Sequence, residues 1–253
     1  MQRGLKQFLF GFLYLLIISA ISFGIYSIFL RPRPSCTDGI KNQNEEDIDC
    51  GGKCGACEIK ELDVEVVGQQ VMGVQSIRKT SIMVVFRNPS LDYWVRNFSY
   101  KVDLYNILGV KVSSFEGVSS IPPNGKRIIP IAGIDLDPRD AGTISVKVTG
   151  ADWSAISDFS NVQVSSSNVK AAITAAERIK ITGTMTNSSP DKIAEFRVGA
   201  VIYGKDGVPK AVSQTLIENF EGFSKRDFEI FAAFEKGETI DLQRTEIFTE
   251  VLK

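Results

Sequence analysis

Hydrophobic and polar residues follow two different rhythms along this chain. From Gln7 to Leu30, QFLFGFLYLLIISAISFGIYSIFL carries no charged residue. A helix crosses the hydrocarbon core of a bilayer with about 20 apolar residues at 1.5 Å each. The run therefore predicts a transmembrane helix over 7–30, preceded by a short cytoplasmic segment, 1–6. Arg3 and Lys6 stand before it and Arg31 and Arg33 after it. Tyr14 and Tyr26 lie a turn or two in from its ends, near where amphipathic rings favour the interface. A cleaved signal peptide has a shorter apolar core and a small-x-small cleavage site. This run is longer and ends on the bulky SIFLRPRP, so it reads as an uncleaved anchor. Positive charge at both ends leaves the orientation open.

Beyond Glu58 the period becomes two. In FSYKVDLYNI, Phe98, Tyr100, Val102 and Leu104 share one face, and Ser99, Lys101 and Asp103 share the other. RIKITGTMTN, FRVGAVIYG and DFEIFAAF alternate in the same way. Such alternation predicts half-buried strands, and several at short spacing predict a sandwich or barrel. VKAAITAAERIK is the one helix-like stretch. The turn cluster SSSN before it and the β-branched residues after it place it with the strands.

The two halves of this region repeat. VVFRNPSLDYWVRNFSYKVDLYNILGVKV, around Asn88, parallels ITGTMTNSSPDKIAEFRVGAVIYGKDGVPK, around Asn187. Each has a strand ending in Asn, a Ser/Pro turn, a second strand running to Tyr105 or Tyr203, and a glycine four residues later. A repeat of about 99 residues is the size of one immunoglobulin-like sandwich. Domain one is expected at 59–153 and domain two at 154–253. GADWSAISDFSN joins them without the Gly/Ser character of a loose linker, which predicts stacked domains with restricted motion. The paired N-x-S … LY-x-x-x-G pattern resembles FxLYD-type immunoglobulin-like domains of bacterial and archaeal envelope proteins. The second half departs from it with Gly204 after Tyr203. The expected fold class is mainly β: an N-terminal transmembrane helix, a small disulfide-rich segment and two tandem immunoglobulin-like β-sandwiches.

Between anchor and strands lies SCTDGIKNQNEEDIDCGGKCGACE, segment 35–58, with all four cysteines: Cys36, Cys50, Cys54 and Cys57. A structural zinc site usually has two short Cys or Cys/His pairs. Cys54 and Cys57 make one, but Cys36 and Cys50 do not make the other. Acidic neighbours raise a thiol's pKa and disfavour a reactive cysteine. An even cysteine count in a segment too short for a core reads as two disulfides, with three pairings open. The run resembles a short cysteine module of predicted bacterial and archaeal surface proteins, C-x-D-G-x-x-N-x-x-E-x-x-x-D-C-G-G-x-C-x-x-C. Cys36, Asp38, Gly39, Asn42, Glu45, Asp49, Cys50, Gly51, Gly52, Cys54 and Cys57 fall on it. The resemblance implies an extracytoplasmic location and no particular activity. Asp38, Asn42, Glu45 and Asp49 are oxygen donors that raise calcium as a second reading, although the EF-hand spacing is absent. Otherwise these side chains cap turns.

Composition narrows the function classes. The 253 residues include 29 basic and 30 acidic side chains, so no basic face is expected to neutralise nucleic-acid phosphates. Histidine is absent, which removes the commonest general base and metal ligand. There is no G-x-S-x-G, no H-E-x-x-H and no phosphate loop; PPNGKR at Pro122 is a turn sequence. Trp94 and Trp153 read as core or junction residues. Phe220, Phe223 and Phe228 read as strand residues or an exposed aromatic tip. Asn97-Phe98-Ser99 and Asn187-Ser188-Ser189 fit the glycosylation triplet.

The expectation is a single-pass, membrane-anchored, extracytoplasmic structural or binding protein without enzymatic activity or resident cofactor. Its partners would be the membrane and unidentified protein or envelope components. The alternative is an accessory subunit of an envelope, secretion or pilus complex that contacts partners through its membrane helix, where Gly11, Ser19, Ser22 and Ser27 offer small or polar positions. A cytoplasm-facing zinc knuckle is the third reading.

Overall fold

The computed structural model describes residues 3–27, 34–160 and 162–252. The last three positions of the predicted 7–30 span, together with Arg31 and Arg33, lie outside them. The chain forms two compact units, Met1–Glu61 and Leu62–Lys253.

The first unit opens with a helix, α1 (Arg3–Ile25). Over Phe8–Ile25 none of its side chains is buried against protein. A helix that is apolar all round has no polar face to give to water, and it needs lipid or other protein around it. The cysteine segment of this unit has almost no regular structure: an isolated bridge between Asp47 and Cys50 and a 3-10 turn at Cys57–Glu61.

Among the described residues, the second unit holds twelve antiparallel strands. They are β1 (Glu65–Val74), β2 (Lys79–Arg87), β3 (Tyr93–Asn106), β4 (Lys111–Ile121), β5 (Lys126–Ile134) and β6 (Ala141–Ala155), then β7 (Val164–Ile173), β8 (Arg178–Asn187), β9 (Ile193–Gly204), β10 (Pro209–Phe220), β11 (Lys225–Ala233) and β12 (Ile240–Leu252). They pair as β1-β2-β5 and β4-β3-β6, and again as β11-β8-β7 and β10-β9-β12. Renumbered from its own first strand, the second set has the order of the first. The duplication expected from the sequence is thus a duplication of topology. Each sandwich has its own core. Ile82, Val84, Phe86, Phe98, Val102 and Leu104 fill the first, and Ile179, Ile181, Phe196, Phe220, Phe228 and Ile230 the second. Three-on-three strands make each a six-stranded version of the immunoglobulin-like sandwich, whose constant type has seven.

Strand register fixes two ends. β1 begins opposite Arg87, so Leu62 leads into the end that also holds the β2–β3 turn. β7 begins opposite Asn187 in the same way. The connector between the sandwiches touches both bases: Ile156 N donates to Asp92 O at 2.8 Å, and Ser188 N to Gln163 O at 2.8 Å. The β1–β2, β3–β4 and β5–β6 turns, and their counterparts in the second sandwich, lie at the opposite end, the tip.

The sandwiches stack face to face. Met72, Met83 and Ile128 on the outer face of β1-β2-β5 meet Val201 and Val212 on the outer face of β10-β9-β12, with Val85, Tyr203 and Phe248 packed alongside. Gly199 permits this, because a Cβ there would lie 2.0 Å from the Phe248 ring. The two repeats use different faces, so the contact is heterologous. The faces left over are polar: Ser99, Lys101 and Asp103 on β3, and Lys180, Thr182, Thr184 and Thr186 on β8.

Candidate functional site

The cysteine segment closes as two crossed disulfides, Cys36–Cys54 and Cys50–Cys57, with Cα separations of 5.6 and 4.8 Å. Of the three pairings the sequence allows, this one interleaves the loops. Bridges spanning 18 and 7 residues each limit the unfolded chain, by roughly 2–3 kcal/mol in the chain-entropy model. The tight path depends on Gly51 and Gly52, both with positive φ. A Cβ on Gly52 would lie 2.2 Å from Asn44 O, and one on Gly51 2.6 Å from Glu46 Cβ. That is the physical content of Cys-Gly-Gly in this motif.

The structure brings Asp38, Asn42, Glu45 and Asp49 into this knot. Glu45 is buried, and its Oε2 accepts from Asn42 N at 3.0 Å and Asp49 N at 3.1 Å. Asp49 Oδ1 accepts from Asp38 N and Gly39 N, both at 3.0 Å. Asp38 accepts from Ser35 N, Asn42 Nδ2 and Ile40 N, and these donors hold its carboxyl below the usual range. The acceptor positions a cation would use are therefore largely occupied by amides. Asn42 Oδ1 is buried without a hydrogen-bond partner among the described residues. Sγ of Cys36 and Cys54 and a Glu45 oxygen lie within 4.8 Å of one another. The two sulfurs are bonded to each other, so they offer no thiolate, and the zinc reading of this segment fails on its chemistry.

In the second unit the base is pinned by two buried asparagines at equivalent positions. Asn88 Nδ2 donates to Tyr93 O at 2.8 Å and Pro122 O at 3.1 Å, and its Oδ1 accepts from Ser90 N at 2.9 Å. Asn187 Nδ2 donates to Asp191 O at 2.9 Å and Glu221 O at 3.1 Å, and its Oδ1 accepts from Ser189 N at 3.0 Å. Each side chain ties two loops together, its own turn and the next one at the base. Asn187 is thus closed to glycosylation in the folded chain, whereas Asn97 of the other triplet is exposed on β3. Trp94 packs against Phe159 of the connector at 5.2 Å, and Trp153 against the first core. Phe220 and Phe228 are core residues; Phe223 is exposed at the base with φ 51°, where the first repeat has Asn124 with φ 48°.

Sequence reasoning missed the polar centre where the sandwiches meet. Glu250 is buried, and its carboxylate accepts from Ser119 Oγ and from Arg197 Nη1, the latter at 3.1 Å. Arg127 Nε lies 4.0 Å from Glu250 Oε1, and Arg127 Nη1 donates to Thr249 O at 2.7 Å. Burial lowers the Arg127 pKa, against the opposing pull of Glu250. Nearby, Tyr203 donates to Glu246 at 2.6 Å; desolvation first, then this bond, pushes its phenol up to about 12. The available signal was apolar residues on both faces of one strand, as in IMVVF of β2 and AVIY of β9. This arrangement holds the two sandwiches together.

No protein-family model matches the chain, and no curated protein matches it. Among solved structures, the crystal structure of red sea bream transglutaminase matches 76% of this chain at 11% identity, with a TM-score of 0.24. The chain spans about a third of that protein, 31% of its length.

Proposed function

We propose that this chain is a single-pass membrane protein whose disulfide knot and paired sandwiches lie outside the cytoplasm and act by binding, without bond chemistry. The observation that carries the reading is the succession of two features in one unit. An apolar helix with no side chain buried over Phe8–Ile25 is followed by a coreless segment closed by two disulfides. Disulfides persist in oxidising compartments. The resemblance of Cys36–Cys57 to a surface-protein module, and of the paired repeats to FxLYD-type domains, supports the same side of the membrane. Stacked sandwiches with polar outer faces suit a rigid spacer that presents loops and edges to a partner.

Thiol alkylation of the membrane-extracted full chain, read as intact mass with and without prior reduction, tests this. All four cysteines are expected to label only after reduction. Labelling without reduction would place the knot in a reducing compartment and overturn the reading.

A further inference from the structure

The chain carries the triplet Asn-x-Ser twice, at Asn97-Phe98-Ser99 and at Asn187-Ser188-Ser189. N-linked glycosylation of such a triplet joins the asparagine side-chain nitrogen to a sugar. The product needs an amide nitrogen with no other commitment and open space around it. The two triplets fall at different places in the duplicated fold, which treats them oppositely.

Asn187 meets neither condition. It is 0% exposed, and both hydrogens of its Nδ2 are donated, to Asp191 O and Glu221 O. Its Oδ1 accepts from Ser189 N and from Ser189 Oγ, so the hydroxyl of the triplet is committed as well. A sugar on Nδ2 would displace one of those hydrogens and would have to fit inside the base.

Asn97 meets both conditions. It lies at a bulge of β3. On the β4 side the pairing jumps from Val95–Ile121 to Phe98–Ser119, so Arg96 and Asn97 together oppose Ser120. On the β6 side it jumps from Val95–Trp153 to Asn97–Asp152. Phe98 enters the first core at 1% exposure, whereas Asn97 and Ser99 are exposed. Neither the Asn97 side-chain amide nor the Ser99 hydroxyl has a hydrogen-bond partner among the described residues. The surface around them is open. Ser99 pairs with Val118, 61% exposed, and with Gly150, where a Cβ would meet nothing within 4 Å. The stacking of the sandwiches uses β1-β2-β5 and β10-β9-β12, which leaves this outer face of β4-β3-β6 uncovered by it.

We infer that Asn97 is an N-glycosylation site and that Asn187 is not. The co-reactant is a lipid-linked sugar phosphate. A bond forms between Asn97 Nδ2 and the anomeric carbon of the sugar, and the bond from that carbon to the phosphate oxygen breaks. The amide loses one proton, and the lipid phosphate leaves with the electron pair. Phe98 is buried in the fold, so transfer takes place on the extended segment before β3 joins its sheet. The fold then decides which product it can hold. A sugar on Asn97 stays in solvent, and a sugar on Asn187 keeps the base from closing. N-glycosylation belongs to exported chains, so this site rests on the extracytoplasmic placement proposed above.

The test is the intact mass of the full chain purified from the membranes of the cells that make it, followed by digestion with trypsin. Cleavage after Arg96 and Lys101 releases Asn97–Lys101, and cleavage after Lys180 and Lys192 releases Ile181–Lys192, so each peptide carries one triplet. The expected mass exceeds that of the sequence by a whole number of sugar residues, all located on Asn97–Lys101. The excess is expected to vanish in Asn97→Gln and in Ser99→Ala, and to persist in Ser99→Thr, which keeps the hydroxyl of the triplet. Both positions are exposed, which keeps the variants foldable. A chain without sugar would overturn the inference, as would sugar on Ile181–Lys192 or sugar that persists in Asn97→Gln. Cysteines that label only after reduction, in a chain without sugar, would leave the binding reading in place, so the two readings fail separately.

Discussion

Asn88 and Asn187 show how much one side chain organises. Each is fully buried and spends both amide hydrogens and its oxygen on backbone groups from two loops, and Asn187 Oδ1 also accepts from Ser189 Oγ at 2.6 Å. Truncation would leave two carbonyls and one N–H without partners, and each unsatisfied buried group costs about 1–3 kcal/mol. Asn88→Ala and Asn187→Ala are each expected to destabilise the chain by roughly 3 kcal/mol, measured by urea unfolding. Ser90→Ala should cost less, since it keeps the N–H that the asparagine accepts from and removes only the hydroxyl that accepts from Asp92 N and Tyr93 N at 3.3 and 3.1 Å. The repeat made both asparagines visible in the sequence. Their role was not visible, because N-x-S reads equally well as a surface glycosylation triplet. Only the loops that converge on Asn187 close it.

Individual strands divide by how many faces they bury. β3 and β8 alternate cleanly because one face meets a core and the other meets water. β2 and β9 carry apolar residues on both faces, Met83 and Val85 outside Ile82, Val84 and Phe86, and Val201 and Tyr203 outside Ala200 and Ile202. A strand covered on both sides loses its alternation. Reading FRVGAVIYG as alternating located the second core correctly and passed over the outer face, where Tyr203 donates to Glu246. That phenol is raised from the ordinary 10 to about 12. A raised pKa on an acid favours the neutral folded form. Its stabilising contribution is therefore complete below pH 10 and is lost as pH rises from 10 to 12. An ultraviolet titration of phenolate absorbance is expected to show one tyrosine ionising near 12 that disappears in Tyr203→Phe, and that variant should lose less stability over the same pH interval.

At the scale of the whole second unit, the inter-sandwich contact combines an apolar patch with the buried Glu250. Removing one partner of a buried ion pair costs about 3–5 kcal/mol, because the remaining charge stays desolvated. Glu250→Ala leaves Arg127 and Arg197 facing each other across the contact. Its expected effect is a loss of about 3 kcal/mol and separation of one cooperative urea transition into two, one per sandwich. A single unchanged transition would mean that the apolar patch alone couples them.

Local pattern was enough for the apolar helix, the period-two strands, the duplication and the presence of two disulfides, since each of these is set by residues close in the chain. GADWSAISDFSN was expected to be the connector, but its first half, through Ala155, is the end of β6, because it continues the ladder with β3 as far as Tyr93. The disulfide pairing was not legible, because three closures satisfy the same spacing, and the path through Gly51 and Gly52 selects the interleaved one. Nor were the faces that stack or the buried Glu250. Those depend on which surfaces of two similar sandwiches come together, and residues more than a hundred positions apart decide that by shape and charge, as Ser119 and Glu250 do.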